Sequence, residues 1–306
     1  MGCVINEFEL INQLKSLVQG QDSAVTLGIG DDAAVIDPAL LPAGHKMVIA
    51  TDTLVIGRHF LADDNPEDIG HKVLAVNLSD MAAMGAMPQW LLMNLTLPKI
   101  DGQWIEGLSR GISGLLKKFK VELIGGDTTS GPLSIGFTVI GLARQPLKRS
   151  DACVDDLIVV SGELGSAAFA LHNPGRSSHC DQQLKRPQPR FDVSEAVKNF
   201  AGAMIDVSDG LLADLNHICQ ASGLGAQVEL EKIPVHSAIK VDLKWRDYAL
   251  SGGDDYQLCF TIRSDDQSLL PSDCTVIGHM HAGSGVTVYD KGHRIQVNRL
   301  GFDHFG

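Results

Sequence analysis

Six times in this chain an apolar run ends on, or is broken by, an aspartate that sits beside glycine or a hydroxyl side chain. The segments are Gly30-Asp31-Asp32, Thr51-Asp52-Thr53, Asn77-Leu-Ser79-Asp80, Gly126-Asp127-Thr128, Asp206-Val-Ser208-Asp209-Gly210 and Gly253-Asp254-Asp255. Asp80 shows the constraint best, falling four residues after Val76 and four before Met84 on a helical stripe that should be buried. A lone ionised carboxylate there would cost several kcal/mol or stay protonated. Converging carboxylates raise one another's pKa unless divalent cations lie between them. The fold must therefore bring these element ends to places where acids are useful. All the candidate ligands are carboxylate or hydroxyl oxygens, a hard donor set that selects Mg²⁺, Mn²⁺ or Ca²⁺ over zinc. The neighbouring glycines let backbone approach a phosphate closely. One Gly-Asp pair is an ordinary turn or cap; six at element ends point to a multi-magnesium site for a polyphosphate.

Composition narrows the partners. With 25 basic and 37 acidic side chains the formal charge is −12, which opposes an electrostatic grip on nucleic acid or an anionic membrane. A phosphate compound must then be brought in by cations. The longest apolar stretches, such as Trp90–Leu97, fall short of the ~20 residues a spanning helix needs. The first residues lack a basic region followed by an apolar core, so no secretory signal is expected. Six cysteines lie far apart with no CxxC, as expected of reduced thiols in a cytoplasmic protein.

The 306 residues suit two domains. In the first, Phe8, Ile11, Leu14 and Leu17 recur at helical spacing, and Lys46–Thr51 reads as a buried strand ending at Asp52. Pro66 starts a long helix, Gln89–Leu97 is a strand, and a second long helix carries Trp104, Leu108, Ile112, Leu115 and Phe119 on one stripe. Strands follow at Val121–Ile124 and Leu133–Leu142. After a linker at Ala143–Asp156, the pattern predicts a strand at Leu157–Ser161 and a short helix at Gly165–His172. An exposed loop is expected over Asn173–Pro189, with its three prolines, and then a helix capped by Ser194. A strand at Met204–Val207 feeds a helix over Gly210–Ser222 that Gly223 stops, and short strands fill the remainder. The expected architecture is α/β (α+β). It comprises two mixed domains, residues 1–142 and 143–306, with the cleft between them.

Four familiar motifs fail. Gly28-Ile29-Gly30-Asp31-Asp32-Ala33 fits a loose dinucleotide pattern, but the helix that must follow is too short and broken by proline. No Gly-Lys-Ser/Thr phosphate loop or protein-kinase signature set occurs, and no HExxH pair among the histidines suggests a zinc hydrolase. His59 alone stands out, a few residues beyond the TDTLV strand.

In order, the stretches LGIGDDAAVI, TDTLVIGRHF, IGHKVLAVNLSDMAAMGAMP, LIGGDTTSGPLSI, IDVSDGLLADL, LSGGDDYQLCF and GFDHF closely resemble the thiamine-monophosphate kinase family. They run over nearly the whole chain. The broader superfamily, with aminoimidazole ribonucleotide and selenophosphate synthetases, shares the acid-rich layout. The resemblance implies ATP-dependent phosphorylation of thiamine monophosphate to thiamine diphosphate. It also implies several magnesium ions in the cleft and a homodimer formed through N-terminal domains that bind nucleotide and metal. It assigns metal ligation to Asp32, Thr51, Asp52, Asp80, Asp127, Asp206 and Asp209, with Asp31 as an auxiliary. Nucleotide contacts fall to Gly126, Asp127, Arg149 and Ser208. Substrate contacts fall to His59, Asp254 and Phe302. Two departures stand out: the family often has Glu at Asp254 and a polar-tipped aromatic at Phe302.

The acceptor in such a reaction is a phosphate monoester with a second pKa of ~6, mostly dianionic at pH 7. No general base or covalent intermediate is required, and no catalytic side chain of that kind is nominated. Two rivals remain: a sister ATP-dependent synthetase of the aminoimidazole ribonucleotide or selenophosphate type, and a non-catalytic nucleotide or metal sensor that keeps the fold.

Overall fold

The structure is a computed structural model that describes residues 22–27, 33–297 and 299–302. The expected helix around Phe8–Leu17 and the Asp31-Asp32 segment lie outside the described residues. The chain forms two compact units. The first holds Met1–Met81 and Ala86–Gln145, the second Ala82–Gly85 and Pro146–Gly306.

In the first unit, a short antiparallel pair, β1 (Val25–Leu27) and β2 (Val35–Ile36), precedes β3 (Lys46–Val55). Then come α1 (Pro66–Ala83), β4 (Met87–Leu97), α2 (Gly102–Phe119), β5 (Glu122–Ser130) and β6 (Ser134–Ala143). The four long strands form a sheet in the order β3-β6-β4-β5, in which only β4 and β5 are parallel, joined by the α2 crossover. One face is apolar and buried, with Leu54, Ile135 and Leu95 in one row. On the other face Trp90, Ile124 and Ile140 are covered by Ala24 and Val25. The two helices meet backbone to backbone. A Cβ at Gly70 would lie 2.2 Å from the Leu108 carbonyl oxygen, and one at Gly111 would lie 2.0 Å from that of Glu67.

The second unit has a seven-stranded sheet in the order β13-β12-β9-β11-β7-β10-β8. In chain order its elements are β7 (Leu157–Ser161), α3 (Ser166–His172), α4 (Ser178–Lys185), α5 (Phe191–Val197), β8 (Ala201–Asp206) and α6 (Leu211–Ser222). There follow β9 (Gly225–Glu229), α7 (Ser237–Lys240), α8 (Trp245–Ser251), β10 (Leu258–Ile262), β11 (Cys274–His281), β12 (Gly285–Asp290) and β13 (His293–Ile295). The sheet buries Ile158, Val160, Ile205 and Cys259 against α3 and α6. Gly223, at φ 67°, ends α6 as its sequence predicts.

Four local expectations change. Strand β3 is not a buried strand ending at Asp52: it runs on to Val55, with only Val48 and Leu54 buried, because one face is open and it lies at the sheet edge. The stretch 173–189 is not all loop: Ser177 Oγ accepts from Cys180 N–H and starts α4, and fully buried Cys180 anchors that helix. Ser194 is no cap; it lies inside α5, buried, and its Oγ donates to the Ala82 carbonyl at 2.6 Å. Strand β5 runs on through Gly125-Gly126-Asp127, so those glycines belong to the sheet.

Candidate functional site

In the first unit the acids ride on regular elements. Thr51 and Asp52 lie in β3, where Thr51 Oγ1 donates to the Phe137 carbonyl (2.9 Å) and accepts from Thr138 Oγ1 (3.1 Å). The Asp52 N–H donates to Asn77 Oδ1 of α1 at 2.9 Å, and Asn77 is held in turn by its own bond to the Val73 carbonyl. Asp80 lies three residues further along α1, hence on the same helix face, and is half-buried between fully buried neighbours. Asn77, buried and not named as a site residue from sequence, thus ties α1, which carries Asp80, to β3 at Asp52. His59 follows β3, and its Nδ1 accepts from the Val55 N–H at 3.0 Å, which puts the ring proton on Nε2. Buried Lys72 donates to the His59 carbonyl at 3.3 Å.

Gly126 and Asp127 are elsewhere in the sheet. The cross-strand row that holds Asp52 continues through Phe137 and Met93 to Gly126. Three strand spacings of about 4.8 Å put Gly126 roughly 14 Å from Asp52. Asp127 is exposed, paired with Asn94. Gly126 owes its missing side chain to the sheet as well: a Cβ there would come within 2.0 Å of the Met93 carbonyl oxygen.

In the second unit three motif segments are tied into one knot. The loop after β8, residues 206–210, receives hydrogen bonds from Asp254 N–H to the Ser208 carbonyl (2.8 Å) and from Tyr256 N–H to the Val207 carbonyl (2.8 Å). The Phe302 N–H adds a third, to the Asp209 carbonyl at 2.8 Å. Asp254 and Tyr256 both have positive φ, 67° and 49°, a conformation non-glycine residues adopt only when their surroundings hold them there. The Tyr256 hydroxyl donates to Asp254 Oδ1 at 3.0 Å. A Cβ on Gly253 would sit 2.4 Å from the Ser208 carbonyl oxygen, and one on Gly210, at φ 120°, 2.8 Å from the Ser251 backbone. Asp206 is buried, Ser208 and Asp209 half-buried, and Phe302 is 43% exposed. Arg149 is exposed, and its carbonyl accepts from Ser222 Oγ at 2.8 Å.

Two acids of this unit were not among the residues expected to act. Asp214, in the first turn of α6, is 2% exposed. Burial raises its carboxyl pKa to about 7; Asp206 and Asp209 push the same way, and the Asp209 and Gly210 N–H groups oppose them. Asp255 is likewise raised to about 7, chiefly by burial, although it accepts from the Gly165 (2.6 Å) and Ala167 (3.3 Å) N–H groups at the start of α3. Sequence held a signal for Asp214: it interrupts the Leu211-Ile218 stripe of α6 just as Asp80 interrupts that of α1. Asp32 lies outside the described residues, as do residues 303–305 of the GFDHF segment.

Two family models match the two units. The AIR synthase related protein, N-terminal domain, matches residues 30–143, and the corresponding C-terminal domain matches residues 154–291. The thiamine-monophosphate kinase of Salmonella typhimurium is 40% identical over 332 aligned positions, covering 100% of this chain and 99% of that protein. A crystal structure of the Stenotrophomonas maltophilia K279a thiamine-monophosphate kinase superposes with a TM-score of 0.83 at 40% identity, covering 95% and 98% of the two chains. AaThiL complexed with AMPPCP and TMP superposes at 0.80 with 31% identity, covering 98% and 97%. The chain belongs to the thiamine-monophosphate kinase family, within the AIR synthase related proteins.

Proposed function

We propose that this chain transfers the terminal phosphoryl group of ATP directly to the phosphate of thiamine monophosphate, yielding thiamine diphosphate and ADP. The observation that carries the reading is the knot of segments 206–210, 252–256 and 301–302. It holds acids and a candidate substrate contact within one loop cluster, in a family whose relatives carry this name and whose AaThiL member was captured with AMPPCP and TMP. An acceptor oxygen of the substrate phosphate attacks the γ-phosphorus in line as the bond to the leaving ADP breaks. The substrate arrives as a dianion, so no side chain needs to remove a proton.

The residues fit magnesium, because they offer only hard oxygens and because Asp206 and Asp209 lie close enough to Asp214 to add to the rise that burial gives its pKa. Asp32, Thr51, Asp52, Asp80 and Asp127 of the first unit and Asp206 and Asp209 of the second would hold several ions. Magnesium, when bound, supplies charge neutralisation on the polyphosphate oxygens. Gly126, Asp127, Arg149 and Ser208 contact the nucleotide, and His59 donates through Nε2 to the thiamine substrate. Asp254, braced by Tyr256, and Phe302 contact that substrate too.

A homodimer through the first unit is part of the proposal, with the protein working in the cytoplasm. Strand β3 lies at a sheet edge, and its outward residues Met47, Ile49 and Val55 are 42%, 62% and 38% exposed, with Met87 (42%) in the same row as Met47. Such a row is a surface for a second copy. Among the described residues no helix is long and apolar enough to cross a membrane.

Incubation with ATP, Mg²⁺ and thiamine monophosphate tests the reading. Thiamine diphosphate and ADP are expected in equal amounts. ADP without thiamine diphosphate would point to a sister synthetase, and nucleotide binding without turnover to a sensor.

A further inference from the structure

We propose that Asp214 is the positioning residue of the 206–210 loop, fixing the carboxylates of Asp206 and Asp209 for cation binding; the proposal rests on the reading of that loop as a metal site. One oxygen, Asp214 Oδ2, accepts from three successive backbone N–H groups: Ser208 at 3.0 Å, Asp209 at 3.1 Å and Gly210 at 3.1 Å. These bonds complete the hydrogen bonding of the loop backbone. Val207 N–H donates to the Gln257 carbonyl and its own carbonyl accepts from Tyr256. The Ser208 carbonyl accepts from Asp254, that of Asp209 from Phe302, and that of Gly210 from the Asp214 N–H. Every N–H and C=O from 207 to 210 therefore has a partner inside the unit, and all three donors that Gln257 does not take end on this one carboxyl group. With its main chain spent in this way, the loop has side chains to offer a ligand: Asp206, Ser208 and Asp209.

One carboxyl oxygen can accept all three bonds, and helix α6 fixes it, because Asp214 lies on the buried stripe of Leu211, Leu215 and Ile218. Removing the carboxylate leaves three amides to find water, which frees the loop to sample other shapes. A cation then has to order the loop as well as bind it. Groups that orient metal ligands typically change affinity or activity by about 10–100-fold when lost.

The experiment compares Asp214→Ala with Asp209→Asn in the full chain; Asp214→Asn replaces the alanine variant if that one does not fold. Three quantities are read: amide hydrogen exchange at Ser208, Asp209 and Gly210, the thermal stabilisation given by Mg²⁺ with ADP, and the half-saturating Mg²⁺ concentration for turnover. For the Asp214 variant, faster exchange at those three amides is expected, with a half-saturating Mg²⁺ concentration raised at least about tenfold and a smaller thermal stabilisation. Unchanged exchange and Mg²⁺ dependence in a folded Asp214 variant overturn the positioning role. If Asp209→Asn also leaves the Mg²⁺ responses unmoved, it is the underlying assignment of the loop as a metal site that fails.

Discussion

In the first unit Asp52 and Asp127 stand on strands β3 and β5 with two strands between them, whereas in the second Asp206 closes β8 and Asp209 lies three residues on, in a loop tied from three directions. Strand acids take their positions from sheet register, which the apolar pattern alone enforces, since a slip of one residue would turn Leu54 and Ile135 out of the core. Asp206 closes β8 opposite Leu258, but Asp209 has no such frame. Its place depends on hydrogen bonds that Asp254, Tyr256 and Phe302, dozens of residues away, donate to the loop, and on buried Asp214, which accepts from the Asp209 N–H. The difference teaches that the same residue type can be positioned cheaply by a sheet or expensively by a knot. Substitutions around the knot should therefore cost more stability than equivalent ones on the strands and helices.

The largest effect expected is on turnover. Asp52→Asn and Asp127→Asn should each lower the rate by about 10²-fold or more in a coupled ADP assay while leaving the circular dichroism spectrum unchanged. A near-normal rate in either one would break the parallel between strand acids and loop acids.

The next prediction sharpens the contrast through glycine. Gly253→Ala forces a Cβ to within 2.4 Å of the Ser208 carbonyl oxygen, so a loss of about 1–3 kcal/mol in urea unfolding is expected. Gly114→Ala, on α2 of the first unit with nothing within 4 Å, should instead gain up to about 1 kcal/mol. Equal effects from the two would mean that the knot is not under tighter constraint.

The smallest effect is a pH dependence. In the folded chain burial lifts the Asp255 carboxyl from its ordinary 3.8 to about 7, so between those values the folded form holds a proton that the unfolded form releases. The stability this contributes is present at low pH and is lost as pH rises through about 7. Asp255→Asn should flatten the decline in unfolding free energy between pH 5 and pH 8, leaving the part due to Asp214, which is raised in the same direction. A slope identical to that of the unaltered chain would show that Asp255 does not titrate in that window.

Much of this molecule was readable without coordinates. The stripe from Ile69 to Ala83, with Pro66 at its start, marks α1, and Gly223 marks the end of α6, because helix periodicity and caps are local. The α/β architecture with two sheets follows from the same alternation of patterns. The helix hidden in 173–189 was not readable, because its prolines and polar residues mask a Ser177 cap whose value depends on burying Cys180. Ser194 misled for a related reason: its hydroxyl serves the Ala82 carbonyl, a partner 112 residues away.

For the site, the chain's own letters were enough to mark the acids, since a carboxylate on an apolar stripe is anomalous wherever it folds, but not to show that Asp52 and Asp127 lie inside strands. They could not tell which acids ligate and which brace. Asp80 and Asp214 break their stripes alike, yet Asp214 spends an oxygen on three amides of a neighbouring turn. That choice belongs to tertiary structure, because a buried carboxylate's role is set by whichever donors the fold places within about 3 Å of it.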